Sequence, residues 1–148
     1  HTFLGDECVD EAIRTIEVSS YVSPVAVIPE VREFVDRILR AYGKAGRVVM
    51  DGRDIGTTVF PDAELKIFMV ADVNVRAMRR LKEMKASGSD ADFDTVLENL
   101  KTRDYIDSHR ETSPLRQAED AIVLDNTDMT LEDQMVWLRD IVRSRFGD

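Results

Sequence analysis

Apolar positions along the chain follow two rhythms. Val31, Phe34, Val35, Ile38, Leu39 and Tyr42 recur at i, i+3, i+4, i+7, i+8 and i+11, one face of a helix. Pro29 suits its first turn, and Gly43 and Gly46 end it. Short apolar runs, Val48-Val49-Met50 and Leu65 to Val70, predict buried strands at 47–51 and 65–70, and Ala121 to Leu124 predicts a third. A helix is predicted from Val73 to Lys85. Another, with Phe93, Val96, Leu97 and Leu100 on one face, runs toward His109, and Pro114 closes that region. Thr130-Leu131-Glu132-Asp133 resembles a capping box ahead of a last helix that buries Leu131, Met135, Leu138, Ile141 and Val142. Residues 1–13 read as short strands around Gly5-Asp6. Residues 14–28, rich in Ser and Val and broken by Pro24, read as short helix or loop. Strands alternating with helices predict an α/β fold with a parallel sheet.

Composition narrows the class. The chain has 148 residues, 43% hydrophobic and 33% charged, which fits one globular domain. A formal net charge of −9 argues against non-specific binding to nucleic acid or anionic membranes, while leaving room for an anion held by local arginines. No apolar run approaches the roughly 20 residues of a membrane span. The single cysteine, Cys8, rules out an internal disulfide and fits a reducing compartment, so a cytoplasmic location is expected. His1 and His109 lie far apart with no metal-ligand spacing around them, and no metal site is expected.

The chemistry concentrates at Asp51-Gly52-Arg53-Asp54-Ile55-Gly56-Thr57-Thr58, directly after the first apolar run. In a parallel sheet, ligands bind beyond the carboxyl ends of strands. Charges placed there are costly unless paired or functional. Arginine offers a planar fork of donors suited to phosphate. Arg14 and Arg32 flank Ser19 to Ser23, Arg76, Arg79 and Arg80 share a helix, and Arg103, Asp107 and Arg110 share a helical face by their i, i+4, i+7 spacing. Solvated surface pairs account equally well for that last trio, and are the commoner explanation for Arg76, Arg79 and Arg80. For Arg32 a surface position opposite the apolar stripe is the default. No G-x-S-x-G nucleophile motif occurs, and no Gly-x-x-x-x-Gly-Lys-Ser/Thr phosphate loop: Gly43-Lys44 is followed by Ala45.

Three stretches in order, "EAIRTIEVSSYVSPVAVIPEVRE", "DGRDIGTTVFPDAELKIFMVA" and "LKTRDYIDSHRETSPLRQAEDAIVLDNT", closely resemble bacterial cytidylate kinases, nearly end to end. The resemblance implies transfer of the terminal phosphoryl of ATP to CMP or dCMP with Mg2+. It also implies a P-loop nucleoside monophosphate kinase-like fold: a parallel sheet with helices, a monophosphate-binding insertion and an arginine-rich lid. By resemblance, Ser23, Arg32 and Asp107 recognise the cytosine. Arg14, Arg53 and Arg110 meet the substrate phosphate or its surroundings, and Asp54 contacts the sugar. Arg103 stands near the transferred phosphoryl, while Arg76, Arg79 and Arg80 line or brace the lid. Residues 1–28 then belong to the CMP-binding insertion and 29–148 to the remaining core, with the lid around 76–110. Arg53, Arg103 and Arg110 are the expected catalytic residues. Asp51 is a candidate for magnesium or its waters. Ile106 replaces a frequent charged residue, and His109 a frequent asparagine.

The resemblance further implies that roughly the first third of the family's usual domain, with its first strand and glycine-rich loop, is not among these residues. The sheet is therefore expected to be incomplete, and the chain inactive without that loop. Unpaired strand edges are expected to make it repack, self-associate or be unstable. A catalytically inactive CMP-binding fragment and an unrelated α/β interaction module are the alternatives.

Overall fold

The computed structural model describes residues 1–147. The chain opens with an antiparallel hairpin, β1 (Phe3–Leu4) and β2 (Glu7–Cys8), which turns through Gly5 at φ +62°. A 3-10 turn at Ala12–Arg14 leads into α1 (Ile16–Ala26). The Thr15 hydroxyl caps α1 by accepting from the Val18 N–H at 3.2 Å. Pro24 falls in its last turn, where the lost amide donor interrupts little of the ladder, so residues 14–28 are mainly helix. Then follow α2 (Pro29–Gly43), a π turn at Ile55–Val59, β3 (Ile67–Val70), α3 (Val73–Ala86), α4 (Phe93–His109), β4 (Ile122–Asp125) and α5 (Leu131–Phe146).

The packed core lies between α3 and α4. Ala77, Leu81 and Met84 from α3 meet Val96 from α4, with Ile16, Phe93, Leu97 and Leu100 against them. The predicted apolar face of α4 is thus the one that packs. Asp72 caps α3 through the Asn74 and Val75 amides, and Asp92 caps α4 through Thr95. At α5 both halves of the predicted capping box are present, Asp133 N–H to Thr130 Oγ1 at 3.1 Å and Thr130 N–H to Asp133 Oδ2 at 2.9 Å.

β3 and β4 pair in parallel with Ile67 opposite Ile122 and Val70 opposite Asp125, as a right-sized βαβ connection through α3 and α4 allows. The sheet has these two strands among the described residues. The run at 47–51 is not a strand: Val49 is fully exposed, Arg47 turns at φ +56°, and no described strand runs alongside to take its backbone hydrogen bonds.

Two predicted burial patterns are also corrected. On α2 the apolar stripe faces outward, with Phe34 54% and Tyr42 64% exposed, while Asp36 is 6% exposed. Polar pairing fixes that orientation. Arg32 reaches Asp54, and Arg40 donates to the Thr58 carbonyl at 2.9 Å, so the Arg32–Asp36–Arg40 stripe lies against the π turn. In α5 no residue is buried; Leu131 and Met135 are exposed, and Leu138 and Ile141 only half-buried.

Candidate functional site

The loop after residue 50 is fixed at Asp54. Its carbonyl accepts from the Thr58 N–H at 2.9 Å, and the Phe60 N–H closes on Ile55 O at 2.8 Å, forming the π turn. Such turns are rare and frequent at functional positions. Gly52 and Gly56 both keep ordinary φ; a Cβ on Gly56 would come within 3.3 Å of the flexible Lys66 chain. The turn holds the Asp54 side chain inward, 7% exposed.

From Asp54 a chain of alternating charges runs through the molecule. Arg32 donates to Asp54 Oδ2, and its Nη2 lies 3.6 Å from Asp36. On the other side Arg110 Nη2 donates to Asp54 Oδ1 at 3.2 Å. Arg110 is 3.5 Å from Asp107, whose second oxygen is 3.1 Å from Arg53 Nε. Arg53 Nη1 is 3.5 Å from Asp104, and Asp104 accepts from Arg76 at 2.7 Å. The order is Asp36, Arg32, Asp54, Arg110, Asp107, Arg53, Asp104, Arg76, four carboxylates against four guanidiniums. It joins α2, the loop at 51–54, α4 and α3.

Arg110 is not on the face of α4. It is the residue after His109, with extended φ/ψ, and its Nε donates to the Ser113 carbonyl at 2.7 Å. Ser113 itself turns at φ +51°. Arg103 stays on α4 but points to α1. Its Nη1 donates to Ser19 Oγ at 3.0 Å, Ser19 donates to Asn99 at 3.0 Å, and its Nε is buried without a partner. Burial first, and then the charge of Arg53, holds the Arg103 guanidinium below its usual range; for Arg110 the causes are burial and then Arg32. Both remain cationic at neutral pH, since arginine starts far above it.

Of the predicted residues, Arg32, Arg53, Asp54, Arg76, Asp107 and Arg110 fall into one network. Arg32, read as a surface residue by its position opposite the apolar stripe, is a central link. Ser23 is 1% exposed with its hydroxyl unpartnered, a free hydrogen-bonding group inside the protein. Arg14 lies outside: its carbonyl accepts from Arg80 at 3.0 Å and its charge acts on Asp10 at the hairpin. Arg79 braces the segment after β4, donating to the carbonyls of Asn126, Thr127 and Met129, and Arg80 pairs with Glu83. Asp36 and Asp104 were not singled out from sequence. The signal for Asp36 was its i+4 spacing from Arg32, and for Asp104 its place beside Arg103. Ile106 lines a groove between α1 and α4, and His109 stacks on Tyr105 at 4.2 Å.

Buried ion pairs are weak sources of stability, because desolvation offsets attraction. A network of eight charges therefore invites a functional explanation. Arg53 is its accessible link, its side chain 37% exposed and its Nη2 without a hydrogen bond among the described residues. Arg103, just beyond the network, adds a positive charge to an otherwise balanced set. The arrangement favours a small anion arriving at Arg53 and forming bidentate bonds with guanidiniums already held in place.

The family model described as "Cytidylate kinase" matches residues 1–143. A cytidylate kinase of Phocaeicola vulgatus is 54% identical over 137 residues, 93% of this chain and 60% of that protein. That of Parabacteroides distasonis is 53% identical over 146 residues, 99% of this chain and 64% of the relative. That of Porphyromonas gingivalis is 56% identical over 138 residues, 93% and 60%. The chain thus spans about three fifths of the length of these curated relatives.

Proposed function

Because the chain belongs to the cytidylate kinase family, we propose that its charge network is the acceptor site of a kinase moving the terminal phosphoryl of ATP to CMP or dCMP. The observation that carries this reading is the exposed Arg53 fixed between Asp107 and Asp104, next to Arg110 on Asp54. Arg53 and Arg110 take the α-phosphate. Arg32 and Asp54 form a buried, polar pair that takes the base, since Arg32 pairs with Asp54 rather than with Asp107, and the buried Ser23 hydroxyl is assigned to the same base. Asp107 then serves the sugar and the orientation of Arg53. This exchanges the roles that resemblance alone gave Asp54 and Asp107. Arg103, cationic and partly desolvated, is held on Ser19 of α1 and reaches the moving phosphoryl group when the lid closes.

The chemistry asked of these residues is positioning and charge neutralisation. Guanidiniums locked by carboxylates need little reorganisation when the phosphate arrives. Residues 76–110 act as the lid: the pairs Arg53–Asp107, Arg53–Asp104 and Arg110–Asp54 all tie that region to the loop at 51–54, so opening it breaks them and substrate restores equivalent contacts. Residues 1–28 belong to the monophosphate-binding insertion, and Arg14 joins the site only if that insertion closes.

Magnesium is bound in kinases by one or two carboxylates together with substrate phosphates, and supplies neutralisation of charge. Asp51 fits this in kind, being exposed and unpaired among the described residues. The ATP phosphates find no cradle here, since the 148 residues contain no Gly-x-x-x-x-Gly-Lys-Ser/Thr run. By themselves these residues bind CMP without efficient transfer, and a phosphate loop supplied from outside them completes the kinase. The match to the cytidylate kinase family favours a CMP-binding reading over an unrelated interaction module.

Calorimetric titration with CMP tests the site. Saturable binding that Arg110→Ala or Asp107→Ala abolishes supports it. If millimolar CMP neither shifts the melting temperature nor protects amides near Arg53, the assignment fails. A coupled ATP/CMP assay then separates binding from transfer.

A further inference from the structure

The hairpin at the start of the chain carries a second group of side chains that the nucleotide reading leaves unused. Phe3 pairs with Cys8 and Leu4 with Glu7, and the Val9 N–H donates to the Thr2 carbonyl at 2.9 Å, extending the ladder by one pair. That register sets His1 opposite Asp10. Side chains alternate between faces along a strand, so His1, Cys8 and Asp10 lie on the same one. An imidazole nitrogen, a thiol sulfur and a carboxylate oxygen there all sit within 4.8 Å of one another. Linear spacing hides this group, because the turn at Gly5-Asp6 is what brings its ends together.

We propose that this face binds one divalent metal ion of the zinc class through His1 Nδ1, Cys8 Sγ and the Asp10 carboxylate, with a fourth position open to water or an exogenous ligand. The donor set selects the metal. Nitrogen, sulfur and oxygen together suit zinc or cobalt, whereas magnesium and calcium want oxygen alone. Tetrahedral bonds of about 2.0–2.3 Å place ligand atoms roughly 3–4 Å apart, so the widest separations close by about 1 Å while the 2.7 Å His1–Asp10 pair opens to admit the ion. Rotation of exposed side chains supplies that movement.

Asp10 is already held for the task. One of its oxygens accepts from the Thr2 N–H at 2.7 Å and the other lies 2.7 Å from His1 Nδ1. A carboxylate such as that of Asp10 is anionic at neutral pH. A thiolate and a carboxylate balance a divalent charge. The ion would also clip together two strands that share only a short ladder, which is marginal alone in water.

Cobalt titration of the reduced, metal-stripped chain tests this. The expected result is saturation at one cobalt per chain, with a thiolate-to-cobalt band in the near ultraviolet that zinc abolishes by displacement. Cys8→Ser removes the band, and His1→Ala and Asp10→Asn each weaken binding by about tenfold or more. Absence of the band at millimolar cobalt overturns the proposal. So does an affinity unchanged in both His1→Ala and Asp10→Asn, which marks a solitary thiol. The three residues lie outside the folded core, so these variants retain the parent's circular dichroism. The cobalt spectrum is read without nucleotide, and its outcome is independent of CMP binding.

Discussion

Asp54 and Arg110 lie 56 positions apart and share an ion pair at 3.2 Å with both side chains almost wholly buried. The pair is the joint between the loop ahead of the π turn and the end of α4. Removing one partner of a buried pair leaves the other charge uncompensated, and Asp54 is partner to two guanidiniums. Asp54→Asn is therefore expected to cost about 3–5 kcal/mol in urea denaturation and to abolish CMP binding. Adding Arg110→Met should cost less than its effect alone, because its pair with Asp54 is already lost and only its 3.5 Å contact with Asp107 and its bond to the Ser113 carbonyl remain to break. Additive costs would show that the two residues act separately.

Arg53 separates binding from folding. Its side chain is more than a third exposed, so its pairs with Asp107 and Asp104 contribute little to stability. Arg53→Lys is expected to leave the denaturation midpoint within about 1 kcal/mol of the parent, while weakening CMP affinity about tenfold or more, since an ammonium lacks the guanidinium fork. A variant that binds CMP normally removes Arg53 from the phosphate site.

Helices were legible in the sequence where local signals and tertiary packing agree. The Thr130–Asp133 box, the Pro29 start and the Phe93–Leu100 face each predict what is observed. Burial was not legible on α2, because periodicity identifies an apolar stripe but not which stripe is covered. There Arg32 and Arg40 bind the π turn and carry the polar stripe inward. The strand at 47–51 failed for a related reason: an apolar run specifies a strand only when another backbone lies beside it. At the site, residue types were readable and partners were not. Pairing Arg32 with Asp54, and Arg53 with Asp107, depends on the return of α4 over a loop some fifty residues earlier.

Gly43 makes a close approach that its place at a helix end conceals. A Cβ there would lie 2.2 Å from the Phe60 ring. The ring follows the π turn directly, so its movement disturbs the turn that holds Asp54. Gly43→Ala is expected to lose about 1–3 kcal/mol by overpacking, and Phe60→Leu in the same chain should restore part of it. Chemical denaturation of the single and double variants measures both.

Acid sensitivity is expected from the helix caps. Hydrogen bonds from the Val75 and Asn74 amides to Asp72, from Thr95 to Asp92, and from Thr130 to Asp133 hold these carboxyls below their usual range. Their folded pKa values lie under the unfolded value near ~3.9, so between the two the unfolded chain binds more protons and stability rises with pH. The contribution is whole above about pH 4 and fades as pH falls through the folded values. Melting temperature against pH should show that acid limb. Asp92→Asn, which still caps, should shallow it with little change at neutral pH.

The outward stripe of α2 sets the behaviour of the chain in concentrated solution. Phe34, Val35, Ile38 and Tyr42 are all exposed on one helical face, and Val49 beyond the helix is fully exposed. Contiguous apolar surface of this kind drives association in water. The chain is expected to sediment above its 16.8 kDa monomer mass as concentration rises. Phe34→Glu with Ile38→Lys should return it to monomer, because both positions face solvent and neither touches the charge network. A chain that stays monomeric at every concentration, with parent and variant alike, would show that this stripe is inert.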